Sequence, residues 1–267
     1  MAMLTHRNLV SGQVAADYIG FNFTEHDVYL SYVPLSHVYE QITHADAIMY
    51  GFRIGYSSEG TNSLLKDMQC LKPTFFGSFP AFYNKIHQEM HDRIQKLQWP
   101  LKGIVEYAIA SKQWYFQNHG LLKHWVYDPL VFRSMRKVLG GRVRIMCSGG
   151  APLYPEVKHF LSAAFSAPIF EAYGQTESSG NCACTAYWER SAGHVGGILP
   201  CIRMQIREVP ELNTDTRAAL PRGELYIKGN SVMKGYFKDP DLTAKVLDKD
   251  GWFRVGDLVV MLPNGAI

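Results

Sequence analysis

The feature that most constrains this chain is a strand–helix–strand run in its middle. Residues 143–147 (VRIMC) form a short apolar strand that runs straight into Ser148-Gly149-Gly150-Ala151-Pro152. Pro155 then sits in the first turn of a helix that reaches residue 165. Residues 168–173 (PIFEAY) form a second strand, which ends at Gly174-Gln175-Thr176-Glu177. Strands joined by a crossover helix pair in parallel, and a parallel sheet needs helices packed on its faces. The run therefore predicts an α/β fold, with polar groups gathered at the carboxyl ends of the strands.

The flanking sequence fits that frame. Thr5 is placed to cap a helix carrying Leu9, Val10, Val14 and Tyr18 at helical spacing. Residues 27–34 and 73–80 read as strands, each closed by a proline, and residues 39–50 as a helix. Residues 82–97 form an amphipathic helix with Ile86, Met90, Ile94 and Leu97 on one face. Two more helices are predicted over 104–118 and 129–139, the second stopped by Gly140-Gly141. After residue 190 short runs alternate with turn signals such as Pro221-Arg222-Gly223, Asp250-Gly251 and Asn264-Gly265, which reads as β structure. The division expected is an α/β part over 1–190 and a β-rich part over 191–267. Residues 4–10 open without a lead-in, and residues 262–267 read as a strand, a turn and the start of a returning strand whose backbone groups would be left unpaired, so both ends are expected to be cut inside a larger fold.

Composition narrows the function classes. With 47% hydrophobic residues the chain can bury a core, which excludes a disordered protein. A net charge of +3 is too small to argue for a nucleic-acid partner. No apolar run approaches the roughly 18–20 residues of a membrane span. Five cysteines are too few and too odd in number for a disulfide scaffold, so a reducing, intracellular compartment is expected. The polar Thr5-His6-Arg7-Asn8 breaks up the start, and no signal peptide is expected.

Two strand ends are candidate sites. Ser148 to Pro152 is either a tight β-to-α turn or a close approach to an anion at a helix N-terminus. It lacks the G-x-G-x-x-G spacing of a dinucleotide site, which argues against an oxidoreductase. Tyr173 to Glu177 is either a polar loop with a core tyrosine or a ligand cluster. In the second case the ring would stack on a base, the Thr176 hydroxyl would hold a phosphate oxygen and Glu177 would hold magnesium.

Taken together, the motifs resemble the adenylate-forming acyl-CoA synthetases. Tyr173-Gly174-Gln175-Thr176-Glu177 is similar to that family's signature. Ser148-Gly149-Gly150-Ala151-Pro152-Leu153, Gly223-Glu224-Leu225, Lys234-Gly235-Tyr236 and Asp250-Gly251-Trp252-Phe253, closing on Gly256-Asp257, follow in its order. Pro34-Leu35-Ser36-His37-Val38-Tyr39-Glu40 resembles the long-chain fatty acyl-CoA synthetases in particular. The resemblance implies part of the large N-terminal domain of such an enzyme, followed by a barrel-like β subdomain. It implies ATP, Mg2+ and coenzyme A, with a fatty acid activated first to acyl-AMP and then to acyl-CoA.

Site roles follow from the same resemblance. Gly150, Ala151 and Pro152 would line the adenine, and Gly149 would also be cofactor-binding. Tyr173 would stack on the adenine, with Gly174 and Gln175 alongside. Thr176 would contact phosphate, Glu177 the metal, Asp257 the ribose hydroxyls, and His37 the acyl carboxylate and α-phosphate. Without its neighbours, His37 reads as a helix-start or core histidine.

The match has gaps. The family's phosphate loop and the lysine of its C-terminal domain are not matched, Val255 stands where Thr is usual, and Ala81 where Arg is. Little or no ligase turnover is expected from these residues alone, and a non-catalytic nucleotide-binding or interaction module is the alternative. The aromatics Trp114, Tyr115, Phe116, Trp125 and Tyr127 are expected in the core or an interface, with peripheral membrane contact as a second reading. The resemblance leaves the endoplasmic reticulum, mitochondrial and peroxisomal membranes open for the parent enzyme. Cys182-Ala-Cys184 reads as packing. Arg133, Arg136, Lys137, Arg142 and Arg144 read as a solvated face or as an attractor for an anion such as coenzyme A.

Overall fold

A computed structural model describes residues 1–267, apart from the side chains of 14–17. Val14, one position of the apolar stripe expected on the first helix, lies outside the described residues.

In chain order the elements are α1 (His6–Ile19), β1 (Val28–Ser31), α2 (Val38–Tyr50), β2 (Arg53–Tyr56), α3 (Leu64–Leu71), β3 (Phe75–Ser78), α4 (Pro80–Gln95) and α5 (Leu101–His119). Then come α6 (Arg133–Arg136), β4 (Ile145–Gly149), α7 (Pro155–Phe165), β5 (Ile169–Gln175), β6 (Gly180–Cys184), β7 (Gly197–Ile198), β8 (Ile202–Arg207), β9 (Arg222–Gly229), α8 (Pro240–Val246) and β10 (Phe253–Val260).

The first sheet has the order β2-β1-β3-β4-β5-β6-β7. Strands β2 to β5 are parallel to one another, and β6 and β7 are added antiparallel. A second, antiparallel sheet has the order β10-β9-β8. This is the mixed α/β fold expected.

Both faces of the parallel strands are covered, which is why they read as unbroken apolar runs. Successive side chains point to opposite faces. Phe76 of β3, Met146 of β4 and Ile169 of β5 pack under α4, α5 and α7, together with Tyr83, Ile86, Phe132 and Leu161. Phe75, Ile145, Cys147 and Phe170 point the other way, onto Phe21, Phe23 and Phe52. Phe21 meets Phe170 edge-on, with centroids 4.6 Å apart at 88°, the geometry that the ring quadrupole favours. A third core, built on Leu225, Ile227, Met233 and Phe253, joins β6 to the second sheet.

Helix ends follow their local chemistry. Thr5 caps α1 as expected: its hydroxyl accepts from the Asn8 N–H at 3.2 Å, and the Asn8 side chain accepts from the Thr5 N–H at 2.7 Å. Pro80 and Pro155 open α4 and α7, where an N–H would lack an intrahelical partner.

The helix predicted over 129–139 is present, with its turns changing from π (Asp128–Phe132) through α6 to 3-10 (Lys137–Leu139). Three expectations are corrected. The region after residue 190 is not all β: Asp239 caps α8 by accepting from the Leu242 N–H. Arg144 is not part of a basic face. Its guanidinium is committed to Asp27 and to the carbonyls of Phe21 and Asn22. The returning strand at 266–267 is not left unpaired either. Ile267 donates to the carbonyl of Gly196 and accepts from the N–H of Val195. No helix among the described residues is long and apolar enough to cross a membrane.

Candidate functional site

A cavity of about 300 Å³ opens at the carboxyl ends of β1, β3, β4 and β5. Parallel strands all end on this side, so the loops that leave them converge there. The loop after β1 brings Tyr32, Val33, His37 and Val38. The end of β3 brings Ser78 and Phe79. Strand β4 brings Cys147, Gly149 and Gly150, and β5 with its turn brings Ala172, Gly174, Gln175, Thr176 and Glu177.

Seven residues expected at a site therefore line one cavity: His37, Gly149, Gly150, Gly174, Gln175, Thr176 and Glu177. Ala151 and Pro152 follow Gly150 on the exposed rim, outside the lining. Tyr173 and Asp257 are outside it as well, and they meet each other. The Tyr173 hydroxyl donates to Asp257 Oδ2. Burial, and then this bond to a carboxylate, hold the Tyr173 phenol well above its ordinary pKa, so it stays a donor.

The way β5 ends explains the split. Alternation puts Ala172 and Gly174 on the cavity side and Tyr173 on the other, against the third core. A register shift between Tyr173 and Gly174 then turns the chain. At Gly174 a Cβ would lie 1.7 Å from the carbonyl oxygen of Gly180, so only glycine lets β5 and β6 close there. Gly150 has φ +83°, the left-handed region that lets β4 leave the sheet beside the Phe79 ring.

After Gly174 the chain forms a 3-10 turn over Thr176–Ser178. The Gln175 N–H donates to the Ser178 hydroxyl at 3.0 Å, which holds the turn closed. The Gln175 amide donates to the carbonyl of Val255 at 2.9 Å. This bond uses the backbone of residue 255, so it does not depend on the side chain there. Glu177 is held from the other side. Its Oε1 accepts from the Tyr236 hydroxyl at 2.8 Å, and its carbonyl accepts from the Met233 N–H. Burial, followed by the Glu177 bond, pushes the Tyr236 phenol up to about 12. The Lys234-Gly235-Tyr236 stretch thus fixes the Glu177 carboxylate.

His37 fits its reading as a helix-start residue and also lines the cavity. It is the N-cap of α2, with Nδ1 accepting from the Tyr39 N–H at 3.1 Å. An accepting Nδ1 puts the ring proton of neutral histidine on Nε2, so at the cavity wall this ring is a donor.

Sequence reasoning missed Tyr32, Val33, Ser78 and Phe79. They carry no polar or glycine cluster of their own, but they sit at the ends of β1 and β3, and parallel topology brings those ends to one place. Cys147, the one cysteine in the lining, is buried, which pushes its thiol up to about 12 and disfavours the thiolate.

No group of three or more His, Cys, Asp or Glu that could hold a metal occurs among the described residues. The one carboxylate in the lining is Glu177, with Oε1 engaged by Tyr236. A single fixed carboxylate suits an ion that takes its other ligands from substrate phosphates and water, as magnesium does.

The family model described as AMP-binding enzyme matches residues 1–237. The chain is 38% identical over 270 residues to long-chain-fatty-acid–CoA ligase 5 of Rattus norvegicus, covering 100% of this chain and 39% of that one. It is 36% identical over 266 residues to the peroxisomal long chain acyl-CoA synthetase 7 of Arabidopsis thaliana, covering 99% and 38%. The chain thus spans about two fifths of the length of these relatives. Among solved structures, apo MatB from Rhodopseudomonas palustris superposes with a TM-score of 0.70 at 22% identity, over 99% of this chain and 44% of that one. The A domain of a carboxylic acid reductase from Segniliparus rugosus, in complex with AMP and a carboxylic acid, gives 0.71 at 24%, over 99% and 38%. At such identities these two establish the fold. The ordered motifs, the cavity at the strand ends and the family match over most of the length lead to one conclusion: the chain belongs to the AMP-binding enzyme family.

Proposed function

We propose that these residues form the nucleotide side of a long-chain fatty acid–CoA ligase. The enzyme would join a fatty acid to ATP as acyl-AMP, with release of pyrophosphate, and then pass the acyl group to coenzyme A. The observation that carries the reading is the convergence of His37, Gly149, Gly150, Thr176 and Glu177 on one cavity. The similarity to long-chain ligases over the whole chain supports it.

Attack of a carboxylate on the α-phosphate brings two anions together, so the site must balance developing negative charge. The His37 Nε2–H would donate to that charge. The Thr176 hydroxyl donates to a phosphate oxygen, and the glycines let the backbone lie against the base. Glu177 would hold magnesium, which supplies charge neutralisation on the phosphates when bound. Asp257 accepts from ribose hydroxyls once Tyr173 has taken one of its oxygens. We read residues 1–190 as the α/β part of this unit and 191–267 as its β-rich part. The setting proposed is intracellular, on the names of relatives such as the peroxisomal synthetase above.

Titration of the chain with a non-hydrolysable acyl-AMP analogue, followed by calorimetry, tests the reading. Binding that is weakened by Thr176→Val and by Asp257→Asn supports it. Absence of binding, with the fold intact by circular dichroism, overturns it. Binding without turnover, persisting when the chain is joined to a phosphate loop and a lysine domain from a relative, would favour a nucleotide-binding module instead.

A further inference from the structure

A second concavity, of about 880 Å³, lies away from the nucleotide cavity and shares no lining residue with it. Its wall combines the C-terminal end of α3 with the stretch from Asp128 to Arg142. Lys72, Arg133, Arg136, Lys137 and Arg142 all face it.

The charge in this groove is unusually one-sided. Asp128 is the single carboxylate in the lining. It is already taken twice, by the fully buried Lys112 and by Arg136 at 3.6 Å. Lys112 is further held by the Ser166 hydroxyl at 2.7 Å. Lys72, Arg133, Lys137 and Arg142 have no ion pair among the described residues. Four cations without an ion pair among the described residues therefore line one groove together with Arg136.

Two structural facts hold this cluster together. Gly140, at φ +84°, packs so closely on α3 that a Cβ would lie 2.4 Å from the Met68 carbonyl and 2.8 Å from the Cα of Lys72. That contact brings Lys72 to the other cations across 70 residues of sequence. Gly141 follows at φ +82° and turns the chain so that Arg142 rejoins the rim. Basic residues are also favoured at helix C-termini, where the dipole leaves about half a negative charge. Two short helix ends offset only part of four cations, and like charges held close together repel unless an anion joins them.

We propose that this groove binds a multiply charged phosphate group. Guanidinium forks and ammonium groups recognise phosphate by charge-assisted hydrogen bonds, and several of them together suit a polyphosphate or a phosphate ester better than a carboxylate. The group can belong to a soluble molecule or to a lipid headgroup. Trp125 and Leu130, 89% and 75% exposed on the segment that leads into the groove, would enter the interface in the lipid case.

The experiment has two arms. Inorganic tripolyphosphate is titrated by calorimetry, and co-sedimentation is measured with vesicles of phosphatidylcholine alone and with 30% phosphatidylglycerol (about the anionic fraction that gives a clear surface potential). The groove variants are Arg133→Gln/Lys137→Gln and, on the exposed rim, Lys72→Gln/Arg142→Gln. Thr176→Val controls for binding in the nucleotide cavity. Expected is binding in one arm that falls at least tenfold in both groove variants, weakens with salt and is unchanged in Thr176→Val. Tripolyphosphate binding identifies a soluble ligand. Vesicle binding that also falls in Trp125→Ala identifies a lipid headgroup. Absence of binding in both arms, or binding that survives both groove variants, overturns the proposal. Because the Lys72 and Arg142 side chains are exposed, their variant remains informative if the other pair disturbs folding.

Discussion

The Tyr173 hydroxyl donates to Asp257 Oδ2 at 2.5 Å, across 84 positions of sequence and from the seven-stranded sheet to the three-stranded one. Two residues expected to meet a nucleotide from different motifs thus hold each other in place. Tyr173→Phe removes a hydrogen bond to a charged acceptor, which costs about 1.5–3 kcal/mol. The loss should show in urea unfolding between pH 6 and 9. Burial and Asp257 raise the Tyr173 pKa in the folded state, so the unfolded chain ionises first as pH rises. The wild-type advantage is therefore full below about pH 10 and declines above it. A difference that grows above pH 10 would contradict this origin.

His37 separates capping from ligand contact. Asparagine is a strong N-cap but lacks the ring donor at Nε2. His37→Asn should leave thermal stability close to wild type, whereas His37→Ala should lose about 1 kcal/mol through the cap. Both should weaken an acyl-AMP analogue by about tenfold, the scale of one hydrogen bond to an anion. Equal affinity in the asparagine variant would remove His37 from the site.

Lys158 and Glu171 form a buried pair at 2.9 Å, tying α7 to β5 just before the site. Lys158→Met strands a buried carboxylate and should cost about 3–5 kcal/mol, while Lys158→Met with Glu171→Leu should recover most of it. Chemical denaturation of both variants measures the gap. A double variant as unstable as the single one would show that the pair contributes more than mutual neutralisation.

Gly174 is the tightest point of the site. Alanine there must push β6 away from the Gly180 carbonyl, and overpacking of this kind costs about 1–3 kcal/mol. Because the shift falls between Ala172 and Thr176, analogue binding should fall with stability. Measured binding at a temperature well below the variant's unfolding transition checks this, since an unchanged affinity would mean that the turn tolerates the displacement.

Much of the fold was legible because buried parallel strands and amphipathic helices write themselves as apolar runs. Residues 73–80, 143–147 and 168–173 gave three adjacent strands, and Pro80 and Pro155 marked two helix starts. The segment at 128–139 was legible as a helix from its apolar spacing, but the change from π to α to 3-10 turns along it was not, since no residue pattern marks it. The short strands β2 and β6 were missed because four or five residues with glycine or cysteine carry little pattern.

The site divides in the same way. Glycine, threonine and glutamate at the end of a strand announce themselves in sequence, since backbone approach and phosphate or metal contact demand those residue types. The chain alone therefore determined the α/β class, the two site loops and Thr176 and Glu177 as candidates, while His37 came only from the resemblance carried by Pro34 to Glu40. Only tertiary structure decided which of them share a cavity, that Tyr173 turns away to bond Asp257, that Tyr236 fixes Glu177, and that Arg144 serves Asp27 rather than a basic face. The physical reason is that such pairings join residues tens to more than a hundred positions apart. Sheet register and the closing of the second sheet onto the first set them, and no local pattern encodes either.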